Sequence, residues 1–120
     1  MVERIQFVVH RGKKVIVVDL AKCNADEVKR TVRQLPDVVT AQPTGSVLSL
    51  GEFTGTAFDD EAIRAMQQTA VFDKPFIKKS ALVGAEDLLE PILKKIMGFS
   101  HRKFLVFKTR QEALEWLTED

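Results

Sequence analysis

Hydrophobic and polar positions at the start of the chain predict two paired strands. Ile5, Phe7 and Val9 fall on every second position, as in a strand that buries one face. Gly12 interrupts this pattern, and an unbroken apolar run follows at residues 15–18. We therefore expect a tight antiparallel hairpin whose second strand is covered on both faces and lies inside the sheet.

A first helix is predicted from its start signal, its apolar stripe and a stop. Asn24 and Glu27 have the spacing of a capping box, and Pro36 is expected to end the helix. Residues 38–39 then fit either a short strand or an apolar tether, and residues 43–45 predict a turn. The apolar stripe consists of Val28, Val32 and Leu35.

The middle of the chain runs from an apolar strand through a small polar loop into an amphipathic helix. Residues 46–53 are the predicted strand, and either Asp59 or Asp60 is expected to cap the helix. Lys74 and Pro75 are expected to stop it. The apolar stripe of this helix consists of Ile63, Met66 and Ala70.

A further strand and helix follow. Residues 76–84 read as a strand with a polar start, near an edge or water, and an apolar end. Residues 88–97 have helical spacing, but Pro91 is tolerated only in a first turn, so the regular helix should begin near Glu90. Gly98 is expected to cap its C-terminus.

The last part of the chain predicts one more strand and helix. Residues 104–107 read as a short buried strand, and Thr109 with Glu112 forms a capping box for the final helix. The predicted order is therefore β, β, α, β, α, β, α, β, α. We expect one α/β domain over residues 1–120, with a mostly parallel sheet and an N-terminal antiparallel hairpin.

Composition narrows the class of protein. An apolar share of 45% with 29% charged residues is typical of a globular domain, and a net charge of +1 gives no global field for nucleic acid. Cys23 is the single cysteine, which favours a reducing compartment. The N-terminus does not read as a signal peptide, and no apolar run approaches the roughly 20 residues of a transmembrane segment. We therefore expect a cytoplasmic protein.

The segment order and three strings resemble the STAS-like (SpoIIAA-like) family, which is related to anti-sigma-factor antagonists. The strings are Val-Leu-Ser-Leu-Gly-Glu-Phe-Thr-Gly-Thr-Ala-Phe-Asp-Asp-Glu-Ala, Lys-Lys-Ser-Ala-Leu-Val-Gly and Gln-Glu-Ala-Leu-Glu-Trp-Leu. The resemblance spans nearly the whole chain and implies a single STAS-like domain with a regulatory or protein-interaction role. In such domains the hydroxyl at the start of the helix after the central strand is sometimes phosphorylated.

The resemblance places candidate binding residues in the loop after the central strand. They are Glu52, Thr54, Gly55, Thr56 and Asp59. Signalling members carry an Asp-Ser-Ser-Gly-like string here, whereas this loop contains no serine. Thr54 and Thr56 are the hypothetical phosphorylation sites, although the acidic residues that follow would repel a phosphate.

Two other arrangements of polar residues deserve separate hypotheses. Asp19 and Glu52, with Lys78 or Lys79, loosely resemble the pocket of a phosphoacceptor receiver domain, but Asp19 ordering a turn is the simpler interpretation. Hydroxyls along the central strand and loop would let a small anion approach the backbone, or would simply satisfy turns. These hydroxyls belong to Ser46, Ser49, Thr54 and Thr56.

Metal, cofactor and nucleic-acid sites are not expected. His10 and His101 lack partners at metal-ligand spacing, and Cys23 beside a helix N-cap fits small-residue packing better than a reactive thiol. Short basic clusters at residues 78–79 and 101–103 lack interleaved aromatic residues, so we interpret them as solvated edges. Four phenylalanines are assigned to the core around the central helix, with one or two of them a potential contact surface. They are Phe53, Phe58, Phe72 and Phe76.

The sequence thus leads to three functional hypotheses. The first is a non-enzymatic STAS-like domain that binds a protein partner, or a second copy as a homodimer, through the loop and helix from Thr54 to Gln68. The alternative is a carrier or sensor for a lipid-like or anionic small ligand in an apolar crevice under that loop. A hydrolase built from Ser, His and Asp would need a histidine within reach of a nucleophile, and no motif indicates one.

Overall fold

The computed structural model of the chain describes residues 4–84, 90–100 and 104–119 and contains one five-stranded sheet and four α-helices. The strands are β1 (Ile5–His10), β2 (Lys13–Asp19), β3 (Val47–Glu52), β4 (Ile77–Val83) and β5 (Leu105–Phe107). The helices are α1 (Ala25–Val39), α2 (Asp60–Asp73), α3 (Glu90–Ser100) and α4 (Arg110–Leu117), with a short 3-10 helix at Lys74–Phe76. None of these helices has both the length and the apolar character needed to cross a membrane.

The sheet follows chain order, β1-β2-β3-β4-β5. β1 pairs antiparallel with β2, and every other neighbouring pair is parallel. This confirms the predicted order of elements and the single antiparallel hairpin. Because β2 to β5 are parallel, the carboxyl ends of these four strands meet at one edge of the sheet, which we call the carboxyl edge, and their amino ends meet at the other, the amino edge.

Helices cover both faces of the sheet. On one face, Ile16 and Val18 of β2 pack in a core with α1, α2 and α3. On the other face, Val15 and Val17 pack in a smaller core with α4. All four of these β2 residues are buried, which confirms that the unbroken apolar run is an interior strand.

Helix starts were predicted well because capping is local. The Asn24 side chain accepts a hydrogen bond from the Glu27 amide at 2.9 Å, and Glu27 accepts one from the Asn24 amide at 3.1 Å. Thr109 caps α4 by accepting from the Glu112 amide at 3.2 Å, but the Glu112 carboxylate accepts from the Thr109 hydroxyl at 3.2 Å instead of completing the predicted capping box. Asp59, one of the two predicted candidates, caps α2.

The predicted end of α1 at Pro36 is wrong, because α1 continues through the proline to Val39. Pro36 has no N–H, so the Val32 carbonyl loses its usual donor four residues on. The hydroxyl of Thr69 in α2 donates to that carbonyl instead, at 3.1 Å and in a buried position. A side chain from another helix therefore satisfies the gap, and residues 38–39 are neither a strand nor a tether.

Two predictions near the C-terminus also need correction. α3 does not end at Gly98 but continues to Ser100, whereas its predicted start near Glu90 agrees with the structure. β5 is not buried, since Leu105 exposes 47% and Val106 exposes 46% of its surface. β5 is the outermost strand, so no other strand of the described residues pairs with its far side. The predicted apolar positions 88 and 89 lie outside the described residues.

The hydrogen bond between Thr69 and Val32 gives a test of how α1 tolerates its proline. Thr69→Val should lower the free energy of unfolding by about 1–3 kcal/mol, because it leaves a buried carbonyl without a donor. In a Pro36→Ala background, the new backbone N–H of residue 36 can donate to the Val32 carbonyl. Thr69→Val should therefore lower the free energy of unfolding by about 1 kcal/mol less in that background. Urea denaturation of the four proteins measures both values.

Thr118→Val is the matched control for this cycle. Thr118 is the C-cap of α4, a helix without proline, and its hydroxyl donates to the Leu114 carbonyl at 2.8 Å. Its cost should therefore be equal in both backgrounds. Equal costs of Thr69→Val with and without Pro36 would contradict the proposed compensation.

Candidate functional site

The carboxyl edge brings the predicted site residues together. Asp19, Glu52 and Val83 are aligned across the ends of β2, β3 and β4. Backbone pairing continues past the strands, because the Leu20 amide donates to the Glu52 carbonyl and the Lys22 amide to the Thr54 carbonyl, each at 2.9 Å. The segments that follow β2 and β3 therefore leave the sheet as a joined pair.

The loop of residues 53–59 is held on both sides. The Phe53 amide donates to the Val83 carbonyl at 3.0 Å, and the Ala57 amide donates to the Cys23 carbonyl at 2.9 Å. Phe53 is buried under the loop, where its ring centroid lies 6.2 Å from that of Phe58. The loop therefore has a fixed backbone and an apolar base.

The three small residues at the tip of the loop differ in exposure. Thr54 and Gly55 are exposed, whereas Thr56 is partly buried. The Thr56 hydroxyl donates to the Leu20 carbonyl at 2.6 Å. A phosphate on Thr56 would remove this hydrogen bond, so Thr54 is the more accessible of the two predicted phosphorylation sites.

Gly84 forms the wall against which Thr54 lies. Its φ of +74° is in the left-handed region that favours glycine. A Cβ at this position would come within 2.9 Å of the Thr54 amide nitrogen and 3.2 Å of its Cα, and would also collide with its hydroxyl oxygen. The close approach between the chain after β4 and the loop after β3 thus requires glycine.

Asp59 has a structural partner on each side. Its carboxylate accepts a hydrogen bond from the Ala62 amide at 2.7 Å and lies 3.5 Å from the Lys29 ammonium. The hydrogen bond from the amide is the main cause that lowers the pKa of Asp59, and Lys29 adds to the effect. This predicted binding residue therefore fixes the start of α2.

Lys29 was missed by the sequence interpretation. Its ammonium lies 3.1 Å from Asp26 of its own helix and 3.1 Å from Glu61 of α2, and only 13% of its side chain is exposed. Hydrogen bonds to these carboxylates raise the pKa of Lys29. The spacing of Asp26 and Lys29 was a usable local signal, but the pairing with α2 depends on the tertiary fold.

Arg110 is the second residue that the sequence did not indicate. Its Nε donates to the Glu52 carboxylate at 2.6 Å, and this hydrogen bond raises the pKa of Arg110. Glu52 ends β3, and Arg110 begins α4 on the opposite face from α1. Glu52, predicted as a binding residue, is therefore joined to α4 by an ion pair.

The receiver-like grouping of Asp19 and Glu52 with Lys78 or Lys79 is wrong. Both lysines belong to the beginning of β4, at the amino edge. The Lys79 ammonium donates to the Trp116 carbonyl at 3.1 Å. Asp19 instead accepts a hydrogen bond from the Ala21 amide at 3.0 Å, so it orders the turn after β2 as the simpler interpretation proposed.

The predicted row of hydroxyls is also divided by the fold. Ser46 donates to the Pro43 carbonyl at 2.6 Å near the amino edge, and Ser49 donates to Ser80 at 3.0 Å within the sheet. Neither lies in the loop with Thr54. These serines therefore do not contribute to a site at the carboxyl edge.

Cysteine and histidine chemistry is not assembled at this loop in the described part of the chain. Cys23 is buried, and this burial raises the pKa of its thiol, which disfavours a reactive thiolate. His10 lies at the amino edge opposite Lys13, and His101 lies outside the described residues. Among residues 4–84, 90–100 and 104–119, no group of three His, Cys, Asp or Glu could hold a metal ion.

The space beneath the loop is small. A mostly apolar cavity of about 90 Å³ lies between the sheet and the helices, with Phe53, Met66 and Leu82 among its lining. Binding sites for drug-sized ligands occupy about 300–1,000 Å³. Of the four phenylalanines assigned to the core, Phe53 is buried, Phe58 and Phe76 are partly buried, and Phe72 exposes 59% of its surface.

The contact between Gly84 and Thr54 yields a stability prediction. Gly84→Ala should lower the free energy of unfolding by about 1–3 kcal/mol, because alanine is strained at positive φ and meets the loop backbone. Urea denaturation measures the loss, and the amide NMR signals of Thr54 and Gly55 should shift.

Gly98→Ala in α3 is the control. Within the described structure, a Cβ built on Gly98 meets no atom within 4 Å apart from its chain neighbours and the adjacent backbone of α3. Alanine should therefore stabilise the helix by roughly 0.5–1 kcal/mol. A Gly84→Ala protein as stable as the original would show that the loop does not depend on this glycine.

The lowered pKa of Asp59 predicts a change in the pH dependence of stability. A carboxylate with a depressed folded pKa adds stability above its unfolded pKa of about 3.9 and loses that contribution as pH falls through the folded pKa. Asp59→Asn keeps a capping side chain but removes the charge. The mutant should be less stable than the original at neutral pH, and the difference should shrink in acid.

Urea denaturation at a series of pH values checks this expectation. Asp60→Asn is the control, because Asp60 is an exposed neighbour that does not provide the cap. At neutral pH, Asp60→Asn should change the free energy of unfolding less than Asp59→Asn does. A difference for Asp59→Asn that stays constant through the acid range would contradict the assigned role.

Comparison with known proteins identifies the fold. No family model and no curated protein matches the chain. The chain is similar to an uncharacterised DUF3478-family protein with a SpoIIAA-like fold from Shewanella loihica PV-4, with a TM-score of 0.72, 16% identity, and coverage of 94% of this chain and 91% of that chain. It is also similar to an anti-sigma-factor antagonist (STAS) domain protein from Planctomyces limnophilus, with a TM-score of 0.59, 16% identity, and coverage of 96% and 98%. The resemblance inferred from the sequence is therefore confirmed at the level of the fold, and this chain has the SpoIIAA-like fold that STAS domains share.

Proposed function

We propose that this chain is a non-enzymatic regulatory domain that binds a protein partner through residues 54–68, which we call the docking surface. The observation that carries the proposal is the combination of a fixed backbone with an exposed tip. Backbone hydrogen bonds hold the loop on both sides, while Thr54 and Gly55 remain exposed. A surface that is already ordered loses little conformational entropy when it binds.

The exposed side of α2 extends this surface. Its outward residues recur at helical spacing, so the loop and the helix form one continuous face. Val71 and Phe72 follow at the end of the helix and expose 45% and 59% of their surface. A polar area beside exposed apolar side chains is typical of protein interfaces. The polar outward residues of α2 are Asp60, Glu61, Arg64 and Gln68.

The carboxylates of Glu52 and Asp59 support a non-catalytic role for this edge. Glu52 is paired with Arg110, and Asp59 caps α2 beside Lys29. A general acid or base needs a carboxyl group that can reach a substrate. Both of these predicted binding residues are committed to holding the loop and its flanking helices in place.

The class of partner is proposed from the fold comparison. The similar protein from Planctomyces limnophilus is described as an anti-sigma-factor antagonist domain protein, which supports a protein partner in a regulatory role. A second copy of this chain, forming a homodimer, is the other protein occupant of the same surface. We further propose a cytoplasmic location, supported by the single buried cysteine, Cys23.

Phosphorylation is a proposed means of switching this surface at Thr54. Thr54 is an exposed residue whose hydroxyl oxygen lies beside Gly84, whereas the Thr56 hydroxyl is engaged with the Leu20 carbonyl. The backbone and Cγ of Lys22 lie beside Gly55. The acidic residues at the start of α2 would repel a phosphate on Thr54. Phosphorylation there would also add negative charge to the surface that a partner contacts.

Site-specific crosslinking tests the docking surface. A photoreactive phenylalanine analogue placed at Gln68 should crosslink one protein of defined mass in cells of the native host. The same analogue at Gln111 is the matched control, because both glutamines are on helices but Gln111 lies on α4 across the sheet. Crosslinks of equal yield at both positions, or none at Gln68, would argue against a partner at residues 54–68.

Binding by purified proteins completes the test. The crosslinked protein, identified by mass spectrometry, should bind the purified domain, and Arg64→Glu should weaken that affinity about tenfold or more, which corresponds to about 1.4 kcal/mol. Sedimentation equilibrium with and without Arg64→Glu reports whether the partner is a second copy. If calorimetry shows the same affinity for Arg64→Glu as for the original protein, the assignment of α2 to the docking surface is contradicted.

A further inference from the structure

A second concave surface lies at the amino edge, the opposite edge of the sheet from the loop of the docking surface. It is an open cleft of about 440 Å³ between the β1–β2 hairpin and the loop that joins α1 to β3. Phe7 and Lys14 border it on the hairpin side, and Pro43 borders it on the loop side. This volume falls within the range of about 300–1,000 Å³ that small-molecule sites occupy.

The charge of this cleft is one-sided. Lys13, Lys14 and Lys78 line it, and no carboxylate is among its lining residues in the described part of the chain. The whole chain carries a net charge of only +1, so the cationic character is local. Lysine side chains that line one concavity make its local potential positive, which attracts an anion.

The cleft also has an apolar floor. Phe7 exposes 42% of its surface, and Ile16, Val47 and Leu117 contribute further apolar lining. The Lys14 ammonium lies 4.7 Å from the centroid of the Phe7 ring. An anionic group at Lys14 would therefore lie close to that ring and to the neighbouring apolar side chains.

We propose that this cleft binds a small organic anion, namely a carboxylate or a phosphate monoester attached to an apolar or aromatic body. Lys14 and Lys78 bind the anionic group, and Phe7 packs against the body. The site shares no residue with the docking surface at residues 54–68 and does not depend on the function proposed for it.

The size and shape of the cleft favour a small molecule over a polyanion. A nucleic acid needs a basic stripe that follows several phosphates and aromatic residues on which bases stack. Here the only aromatic residue that lines the cleft in the described structure is Phe7. The cations border a single concavity, which suits one anionic group.

Four probes separate the two parts of the proposal. Amide NMR titrations of the full chain use 1-naphthyl phosphate and 2-naphthoate as apolar anions. The neutral 2-naphthalenemethanol lacks the charge, and inorganic phosphate lacks the apolar body. At least one of the two anions should cause saturable shifts of the amide signals of Phe7, Lys14 and the residues next to Pro43. The two control probes should bind at least about tenfold more weakly. The stronger of the two anions identifies the preferred head group.

Variants then assign the residues. The double substitution Lys14→Gln with Lys78→Gln should weaken binding of the preferred anion about tenfold, because each exposed charge contributes a few-fold. The matched double substitution Lys95→Gln with Lys108→Gln removes the same charge at exposed positions outside the cleft. It should change the affinity less than about twofold. Phe7→Thr, which keeps a strand-forming residue, should reduce the advantage of the apolar anions over inorganic phosphate.

Each remaining outcome would overturn the proposal. These outcomes are an absence of saturable shifts with both apolar anions, shifts that map elsewhere, or equal losses in the two double variants. Equal binding of inorganic phosphate and naphthyl phosphate would remove the role of Phe7. Lysine-dependent binding of a single-stranded oligonucleotide without binding of either small anion would assign the cleft to a polyanion instead. Circular dichroism confirms that each variant is folded.

Discussion

Backbone pairing that continues beyond the strands is the constraint on which the carboxyl edge depends. Parallel strands leave the sheet in the same direction, and here the segments after β2 and β3 stay hydrogen-bonded through Lys22 and Thr54. This pairing places the first turns of α1 and α2 side by side. Lys29 can therefore reach carboxylates of both helices, and Asp59 can cap α2 close to the same ammonium. The ion pairs follow from the register of the sheet and do not create it.

The same architecture places acidic residues at the helix starts of one edge and lysines at the strand starts of the other. Each helix that crosses between parallel strands begins at the carboxyl edge and ends at the amino edge. Acidic residues stabilise helix starts by interacting with the helix dipole, and α1 and α2 each carry two in their first turn. Lysines of β2 and β4 stand at the other edge. The net charge of the chain therefore argues against a global field that attracts polyanions, but it does not determine the local charge of a single cleft.

The sequence predicted the order of elements and the helix caps because both depend on neighbours along the chain. It failed where the partner is remote. Pro36 looked like a stop because its compensating donor, Thr69, belongs to another helix. Arg110 pairs with Glu52 across 58 positions of sequence, and no local pattern marks that contact. Lys78 and Lys79 were grouped with acids that lie at the other edge of the sheet. Periodicity predicts which face of a strand a residue is on, but it does not predict which residues of neighbouring strands share an edge.

The positions of the two proposed surfaces determine how they can act together. Residues 54–68 follow the carboxyl end of β3, and the cleft beside Phe7 lies where β2 and β3 begin. β2 and β3 join them, and apolar side chains such as Val17 and Leu50 are buried along both strands. Such close packing resists small displacements. The cleft and residues 54–68 share no residue and lie at opposite edges of the sheet, so an anion in the proposed cleft would not sterically block a protein at the proposed docking surface.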